Sequence, residues 1–361
     1  MDVVLQPGKL QLPRVGTKML ETEKLSPGNF RALQPKEPSA PSGEGVRSAE
    51  TRDRRSLCTK CVFSVDVEDW FHILDLPSAP DISEWDALPS RVEQNFMRLL
   101  DLFERHETRV TCFFLGWIGK RFPHLVREAA RRGHEIASHG YAHRLVYRMS
   151  PQDFYLDALN SRKILEDIAG APLWGYRSAG FSVTRDTDWF FDRLIEAGYI
   201  YDSSVFPATR GHGGMEGGPR GPYWIQRTSG RLFEFPVSVV DVLGKPLCFF
   251  GGGYLRLAPY SVIRMMAKRV LNDSHPVIFY VHPREIDIHH PHLSMNGRRR
   301  FKSYVNLRST LPKLTRLLHE FSLTSFEQFI RQDMQGGPSQ EQIVEGLLRI
   351  APLPDSLPTT A

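Results

Sequence analysis

Apolar runs typical of buried strands alternate along this chain with segments that have the spacing of helices. The first clear strand pattern is Cys61–Asp66, and the apolar residues Val92, Phe96, Leu99 and Phe103 then recur on one face of a helix. Six more strand-like runs follow: Arg109–Leu115, His134–Ser138, Leu173–Arg177, Tyr199–Ser203, Leu232–Val240 and Val277–Val281. This alternation predicts an α/β fold with a parallel sheet, either open and doubly wound or closed into a barrel.

Helix boundaries are marked between these runs by capping residues. Ser150 followed by Pro151 predicts the start of a helix that runs to Gly170. Further helices are predicted at 123–132, 184–197, 259–271 and 307–321. Residues 208–222 are rich in glycine and interrupt the rhythm, which indicates a long loop.

The ends of the chain differ in composition from its middle. Residues 1–57 have scattered Pro, Gly, Ser and charge without a sustained apolar period, which predicts a disordered basic leader. Residues 58–330 contain all the predicted strands and helices, and residues 331–361 are predicted to be a loose tail. The 361 residues allow one large α/β domain or two ordinary ones.

The charge balance and the cysteines exclude several classes of protein. The chain has 46 Lys and Arg against 41 Asp and Glu, but most of the excess lies in residues 1–60, so no nucleic-acid partner is indicated. No apolar stretch is long enough for a membrane helix. Four cysteines, two of them in a single CxxC (Cys58 and Cys61), are too few for a disulfide scaffold. Without a secretory signal pattern, a cytoplasmic location is predicted.

Polar side chains follow several of the predicted strands. They are Asp66, Glu68 and Asp69 after the first strand, His139 and His143 after the third, Arg177 after the fourth, Asp202 after the fifth and His282 after the seventh. In parallel α/β folds the carboxyl ends of the strands converge on one face, where sites are built. The sequence therefore predicts one polar site at this face.

The residue types in this set suit a catalytic metal site, and solvated turns or core histidines are the alternative interpretation. His139 and His143 are four residues apart, so both imidazoles lie on one side if the segment turns helically. Asp66 and Glu68 are two apart and share one face of a strand. Two histidines and one carboxylate form a common catalytic zinc set, and the other carboxylate would then be free to act as a base.

Arg177 and His282 have several possible roles on this reading. Arg177 would cap strand carbonyls, pair with a surface acid, or hold a catalytic carboxylate through a bidentate contact. His282 emerges from a buried strand, where a histidine is often structural, but it would also serve as a general acid for a leaving group.

The motifs as a set resemble the polysaccharide deacetylases of carbohydrate esterase family four. The matching segments, in order, are Ser64–Trp70, Ser138–His143, Tyr176–Phe181, Tyr201–Phe206 and Phe279–Pro283. Within the family, the chain is most similar to deacetylases of exopolysaccharide loci in Gram-negative bacteria that sort proteins by exosortase. That branch has a C-terminal extension of unknown function, resembled here by Glu234–Pro236, Gly251–Arg256 and His282–Asp287.

This resemblance implies a fold, a cofactor and a reaction. The fold would be a deformed (β/α) barrel of about seven parallel strands, forming one catalytic domain over 58–330 with its family-specific extension from about residue 205. The cofactor would be a divalent metal, most often Zn²⁺. The reaction would be hydrolysis of N-acetyl groups on amino sugars of a bacterial exopolysaccharide.

The resemblance also implies roles for individual residues. Asp66 would be the general base, His139 and His143 metal ligands, Arg177 the residue that orients the base, and His282 the acid. The family motif has two adjacent aspartates, whereas Val67 follows Asp66 here, so the third ligand is either Glu68 or Asp69. Strand alternation favours Glu68.

Residues for binding a sugar are expected among the aromatic and polar side chains near these motifs. Trp70, Asp202 and Tyr254 are predicted to contact substrate, and Phe71 and Phe181 are further candidates for stacking. Core packing is an equally good reading of each aromatic taken singly.

Two other functions use the same residues. A relative on this scaffold would hydrolyse cyclic imides or ureides, and a decayed relative would only bind carbohydrate. The predicted partners are an N-acetylated oligosaccharide or polysaccharide and, loosely, a membrane-bound polysaccharide assembly system.

Overall fold

The structure is a computed structural model that describes residues 61–209, 211 and 213–333. The predicted leader over 1–57, Cys58 and the predicted tail beyond residue 333 lie outside the described residues.

The strands of the described region form one large, mostly parallel sheet and a separate hairpin. Their bounds are β1 Cys61–Val67, β2 Thr111–Phe114, β3 Glu135–Ser138, β4 Gly175–Tyr176, β5 Tyr201–Asp202, β6 Tyr223–Arg227, β7 Gly230–Glu234, β8 Val240–Val242, β9 Lys245–Leu247, β10 Val277–Val281 and β11 Leu323–Thr324. The order in the large sheet is β10-β1-β2-β3-β4-β5-β7-β6, with β11 also paired to β1. The seven strands from β10 to β7 are all parallel and correspond to the seven predicted runs.

Helices connect these strands and cover the sheet. Their bounds are α1 Val92–Arg105, α2 Gly116–Arg121, α3 Pro123–Arg131, α4 Pro151–Ala169, α5 Trp189–Glu196, α6 Gly252–Leu257, α7 Tyr260–Asn272, α8 Gly297–Tyr304, α9 Thr310–Glu320 and α10 Phe326–Asp333. Within the described ranges, none of these helices combines the length and the apolar character needed to cross a bilayer.

Local sequence signals explain where the longest helix begins and ends. The hydroxyl of Ser150 accepts a hydrogen bond from the backbone N–H of Asp153 (3.1 Å), and Pro151 occupies the first turn. Gly170 ends the helix with φ +69°, a conformation that costs glycine little. The boundaries predicted for α4 are therefore confirmed.

The large sheet curves into a barrel. Within the described residues, no backbone hydrogen-bond ladder joins β7 to β10 to close it. After β7 the chain stays extended beside β5, where Phe235 N–H donates to the carbonyl of Asp202 (2.8 Å). The Ser238 hydroxyl then donates to the carbonyl of Pro276 (3.1 Å) and accepts from Ile278 N–H (2.9 Å) of β10. A side chain thus bridges the last gap, consistent with the deformed barrel that the resemblance implied.

Two predicted strands are shorter than expected, and one run is divided. β4 and β5 have two residues each, because the chain leaves the ladder early to form the polar segments that follow. The run Leu232–Val240 contains the end of β7, an extended segment and the start of β8, so it is not one strand. The antiparallel hairpin of β6 and β7 was not predicted, since its turn, Thr228-Ser229, lacks the usual glycine signal.

Burial in the barrel follows from its parallel topology. All seven residues of β1 and all five of β10 are buried, because helices cover one face and barrel side chains fill the other. The polar residues at the carboxyl ends of these strands are consequently held in a well-packed frame.

Candidate active site

The carboxyl ends of four parallel strands of the large sheet bring the predicted polar residues together. Asp66 and Glu68 stand at the end of β1, His139 and His143 follow β3, Arg177 follows β4, and His282 follows β10. Asp66, Glu68, Arg177 and both β3 histidines are buried, while His282 is half-buried. The sequence prediction that one site would collect these residues agrees with the geometry.

Three electron-pair donors converge at the centre of this site. Oε1 of Glu68 lies 3.0 Å from Nε2 of His143 and 3.3 Å from Nε2 of His139. Nδ1 of His139 lies 2.7 Å from the carbonyl oxygen of Arg177, which can only accept, so Nδ1 carries the proton and Nε2 of the neutral ring is bare. A positive charge between this bare nitrogen and the Glu68 carboxylate would stabilise both.

The residues present fit a metal ion in that position. Their ligand atoms all lie within 4.8 Å of one another, and Glu68 also belongs to a second such group with Asp66 and His282. Nε2 of His143 is buried and has no hydrogen-bond partner among the described residues, as expected of a ligand atom. The carbonyl of Arg177 holds the ring of His139 from behind, as second-shell acceptors do for metal-bound histidines.

The pKa values of Glu68 and His139 also indicate that this cluster stabilises a positive charge. Burial raises the pKa of Glu68, but the nearby charges of His143 and His282 outweigh burial and hold that pKa well below its usual value. Burial lowers the pKa of His139, but its hydrogen bonds and the negative charges of Asp66 and Glu68 together outweigh burial, so the net pKa lies above the usual value. Glu68 therefore stabilises a positive charge on His139, at the position where a metal ion would also be stabilised.

The loop that holds the two histidines is not helical, which corrects the predicted geometry. Residues 139–143 form a bend in which Gly140 (φ +76°) and His143 (φ +52°) are both left-handed. A side chain at Gly140 would lie 3.0 Å from Oδ2 of Asp157, a carboxylate that accepts from Tyr141 N–H (2.8 Å). Backbone turns, and not helical periodicity, place both rings against Glu68.

Asp69, the alternative third ligand, points elsewhere. Its carboxylate accepts hydrogen bonds from the backbone N–H groups of Trp70, Arg91 and Val92 and from the hydroxyl of Ser90. These contacts fasten the start of α1 to the end of β1. Of the two residues left open by the sequence, Glu68 is the one beside the histidines.

A buried arginine holds Asp66. Nη1 of Arg177 lies 2.7 Å from Oδ1 of Asp66 and also donates to the hydroxyl of Ser64 (2.7 Å). Its other nitrogens donate to the carbonyl and hydroxyl of Ser203 (3.2 and 3.0 Å), so the expected bidentate contact with Asp66 is replaced by a single hydrogen bond. Oδ2 of Asp66 is therefore left for other partners.

His282 is oriented by two residues to which the sequence assigned no role. Nδ1 of His282 lies 3.0 Å from Oε2 of Glu285, and the opposite carboxylate oxygen is paired with the guanidinium of Arg256. Nε2 consequently faces the site, 3.8 Å from Oδ2 of Asp66 and 3.6 Å from Oε1 of Glu68. Burial lowers the pKa of His282 to about 4. Glu285 and Arg256 lie in two of the C-terminal extension motifs identified in the sequence, and those motifs were the sequence signal that could have indicated their role.

Replacing Glu285 tests whether it orients His282. In Glu285→Gln the amide can present its N–H to Nδ1, which would favour the opposite ring tautomer and turn the proton toward the site. We expect kcat to fall roughly 10- to 100-fold, part of the usual range for general acid–base catalysis, with metal content unchanged. Steady-state kinetics and metal analysis beside Glu196→Gln, a surface carboxylate paired with Arg193, provide the measurement. Unaltered kcat would contradict this role.

The aromatic residues predicted to contact substrate differ in their exposure to solvent. Trp70 is buried, and its indole N–H donates to the carbonyl of Pro89 (3.0 Å), so its assignment to substrate is corrected to core packing. Phe71 and Phe181 are also buried. Tyr254 is 46% exposed in α6 and packs against Phe249, and its contact with substrate stays a prediction.

Asp202 is the other predicted substrate residue that the structure corrects. Its carboxylate is fully buried, accepts from the hydroxyl of Ser204 (2.5 Å) and adjoins the buried carboxyl of Glu234. Burial raises the pKa of both groups, and the negative charge of Asp202 raises the pKa of Glu234 further. The pair therefore retains a proton and serves the packing around β5 and β7.

This carboxyl pair should make the fold less stable as the pH rises. Both pKa values are higher in the folded protein than in the unfolded chain, so their contribution is present at low pH and lost as the pH rises through the folded values. We expect Glu234→Gln to flatten the decline in melting temperature above about pH 4, where unfolded carboxyl groups ionise. Thermal melts of both proteins across pH 4–8 measure this, and parallel declines would contradict it.

Comparison with known proteins gives two consecutive family matches. Residues 83–198 match the polysaccharide deacetylase family, and residues 203–331 match a domain of unknown function (DUF3473). A peptidoglycan-N-acetylglucosamine deacetylase of Bacillus cereus is 30% identical over 102 residues, which is 28% of this chain and 46% of that protein. The deacetylase PgdA of Listeria monocytogenes is 32% identical over 72 residues, 20% of this chain and 16% of its own. The chain thus spans less than half the length of either relative.

A solved structure supports the fold. The crystal structure of Puue allantoinase aligns with 77% of this chain and 91% of its own, with a TM-score of 0.50 and 16% identity. The motifs, the two family matches and the parallel barrel agree with one another. Residues 83–198 thus carry a polysaccharide deacetylase domain similar to those of carbohydrate esterase family four, followed by the C-terminal domain of unknown function that the sequence motifs indicated.

Proposed function

We propose that this chain is a metal-dependent hydrolase that removes N-acetyl groups from amino sugars of a polysaccharide. The observation that carries the proposal is the convergence of Glu68, His139 and His143 beside Asp66 and His282 in one buried site. The names of the two bacterial relatives, which specify N-acetylglucosamine, support an acetylated amino sugar as the substrate.

Glu68, His139 and His143 would hold the metal ion, which we propose to be Zn²⁺. Two imidazole nitrogens and one carboxylate oxygen are a common ligand set of catalytic zinc. When bound, the ion stabilises negative charge on the acetyl oxygen and makes water a stronger acid.

Asp66 and His282 would move the protons. Arg177 occupies Oδ1 of Asp66, so Oδ2 is the atom that would accept a proton from the attacking water. Nε2 of His282 lies 3.8 Å from that oxygen and is bare while Nδ1 donates to Glu285. His282 would donate to the departing amine after Nε2 has received the proton that Oδ2 of Asp66 took from the water.

We further propose that the region of unknown function belongs to the catalytic domain. It contributes His282, Glu285 and Arg256, along with the strands β7 and β10 that complete the barrel. The motifs shared with exosortase-associated deacetylases favour an exopolysaccharide as the polymer. Action in the cytoplasm beside a membrane-bound assembly system is part of the same proposal.

An activity panel tests this function. Metal-loaded protein should release acetate from N-acetylglucosamine oligomers and should not open cyclic imides or ureides. Ring opening without acetate release would replace the proposal by the imide and ureide reaction. Binding of oligomers without turnover of either substrate would instead identify a carbohydrate-binding protein.

A further inference from the structure

Helix α8 carries a cluster of cations without anionic partners. Its sequence, Gly297–Tyr304, contains Arg298, Arg299, Arg300 and Lys302 and no acidic residue. We call these four residues the α8 basic cluster; Arg298 and Lys302 share one side of the helix. None of them pairs with a carboxylate of the described residues, and Arg298, Arg300 and Lys302 are exposed. The rest of the chain after residue 60 is almost neutral, so this concentration of charge is local.

The helix exists in spite of this repulsion. Arg298 and Lys302 are four residues apart, a spacing at which like charges destabilise a helix. None of its eight residues is buried, so packing into the core contributes little. The side chain of Asn296 caps its start by accepting from Arg299 N–H (2.9 Å), and Arg256 holds its end. A helix maintained in this way presents its cations to solvent in a fixed array.

Two sets of contacts place this array beside the candidate active site. On one side, Arg256 donates to the carbonyls of Lys302 (2.7 Å) and Ser303 (3.2 Å), and it pairs with the Glu285 carboxylate that holds His282. On the other side, the guanidinium of Arg299 contacts the carbonyl of Leu74, in the segment that follows β1. The helix therefore bridges the chain segments that leave β1 and β10, both of which end in site residues.

We propose that the α8 basic cluster binds anionic groups, such as uronate carboxylates, on a polysaccharide whose acetylated sugar occupies the site. This rests on the proposed function and narrows its substrate class to acidic polysaccharides. Guanidinium groups match carboxylates geometrically, and an array next to the site would engage sugars adjoining the one that reacts. Phe301, 55% exposed on the same helix, offers an aromatic face for a sugar ring.

An anionic membrane is a less suitable partner for this helix. Helices that lie in a membrane interface bury a broad apolar face of several large residues. In α8, Phe301 is the one large apolar residue with a mostly exposed side chain. Charge without an apolar face fits a hydrated acidic polymer better than a bilayer.

Direct binding measurements on the full chain test this proposal separately from catalysis. The probes are oligogalacturonate, which is anionic, and an uncharged cello-oligosaccharide, each titrated calorimetrically at low and high salt. The variant is Arg298→Gln, Arg300→Gln and Lys302→Gln combined. The control combines Arg105→Gln, Lys120→Gln and Arg127→Gln, exposed cations on α1, α2 and α3 that pair with no described carboxylate.

Wild type and control should bind oligogalacturonate more tightly than the neutral oligomer, and salt should weaken that binding. The α8 variant should lose roughly tenfold in affinity, the sum of three exposed ion pairs. Equal affinities for the two probes, or an unaltered affinity in the α8 variant, would overturn the proposal. So would α8-dependent binding to phosphatidylglycerol vesicles without binding to oligogalacturonate. If the metal-loaded wild-type protein bound oligogalacturonate but released no acetate from N-acetylglucosamine oligomers, the proposed function would be overturned instead.

Discussion

Asp66→Asn should retain bound metal and lose on the order of 100-fold or more in kcat. The substitution preserves the size of the side chain and its hydrogen bond from Arg177, but the amide cannot accept a proton from water. Arg177 would remain satisfied, because Ser64 and Ser203 accept from it and its guanidinium lies 4.2 Å from the ring centre of Phe113. The fold should therefore survive the loss of the buried charge.

Steady-state acetate release together with metal analysis measures this effect. Unaltered metal content and melting cooperativity would show that the loss of rate is chemical. If Asp66→Asn instead released the metal and regained its rate with added metal, Asp66 would be a ligand, and the assignment of a base would fail.

Glu68→Gln and His143→Ala should both lose the metal, and acetate release with it. Changing only a residue that supports a metal ligand typically costs 10- to 100-fold in metal affinity, so loss of a ligand should cost on the order of 100-fold or more. The amide of Gln is a weaker ligand that remains in place, so excess metal should partly restore Glu68→Gln. His143→Ala leaves a gap that excess metal cannot fill as well.

Two matched substitutions control for this experiment. His124→Ala removes a surface histidine beside Glu93 and should leave metal and rate unchanged. Asp69→Asn should lower stability by about 1–2 kcal/mol through the weakened cap of α1, without loss of metal. Metal loss in Asp69→Asn with a silent Glu68→Gln would reverse the choice of third ligand.

The strands of the barrel could be predicted because their burial leaves a strong pattern. Runs such as Val277–Val281 are apolar at every position, since parallel strands are covered on both faces. The β6–β7 hairpin escaped prediction, because Ile225 is the one buried residue of Tyr223–Arg227 and no Asn-Gly or Asp-Gly turn marks the hairpin. The replacement of a closing ladder by Ser238 depends on long-range contacts that no local pattern shows.

The site was predictable where residue type and strand position coincide. Asp66, Glu68, Arg177 and His282 stand at strand ends, so topology alone brings them together. The failures have tertiary causes. Trp70 packs in the core and donates to the carbonyl of Pro89, 19 residues away, and Asp202 lies beside Glu234, which is 32 residues away in sequence. The support of His282 by Glu285 and Arg256 likewise depends on the fold around β10.

The central claim is that the Glu68, His139 and His143 cluster holds a metal ion on which deacetylation depends. The direct test is to remove metal from the protein with a chelator and add Zn²⁺ back in measured steps, following bound zinc and acetate release from N-acetylglucosamine oligomers together. Both should rise in parallel and level off at one ion per chain, and His143→Ala should show neither rise. Full acetate release from the metal-free protein, or zinc bound equally well by His143→Ala, would contradict the claim.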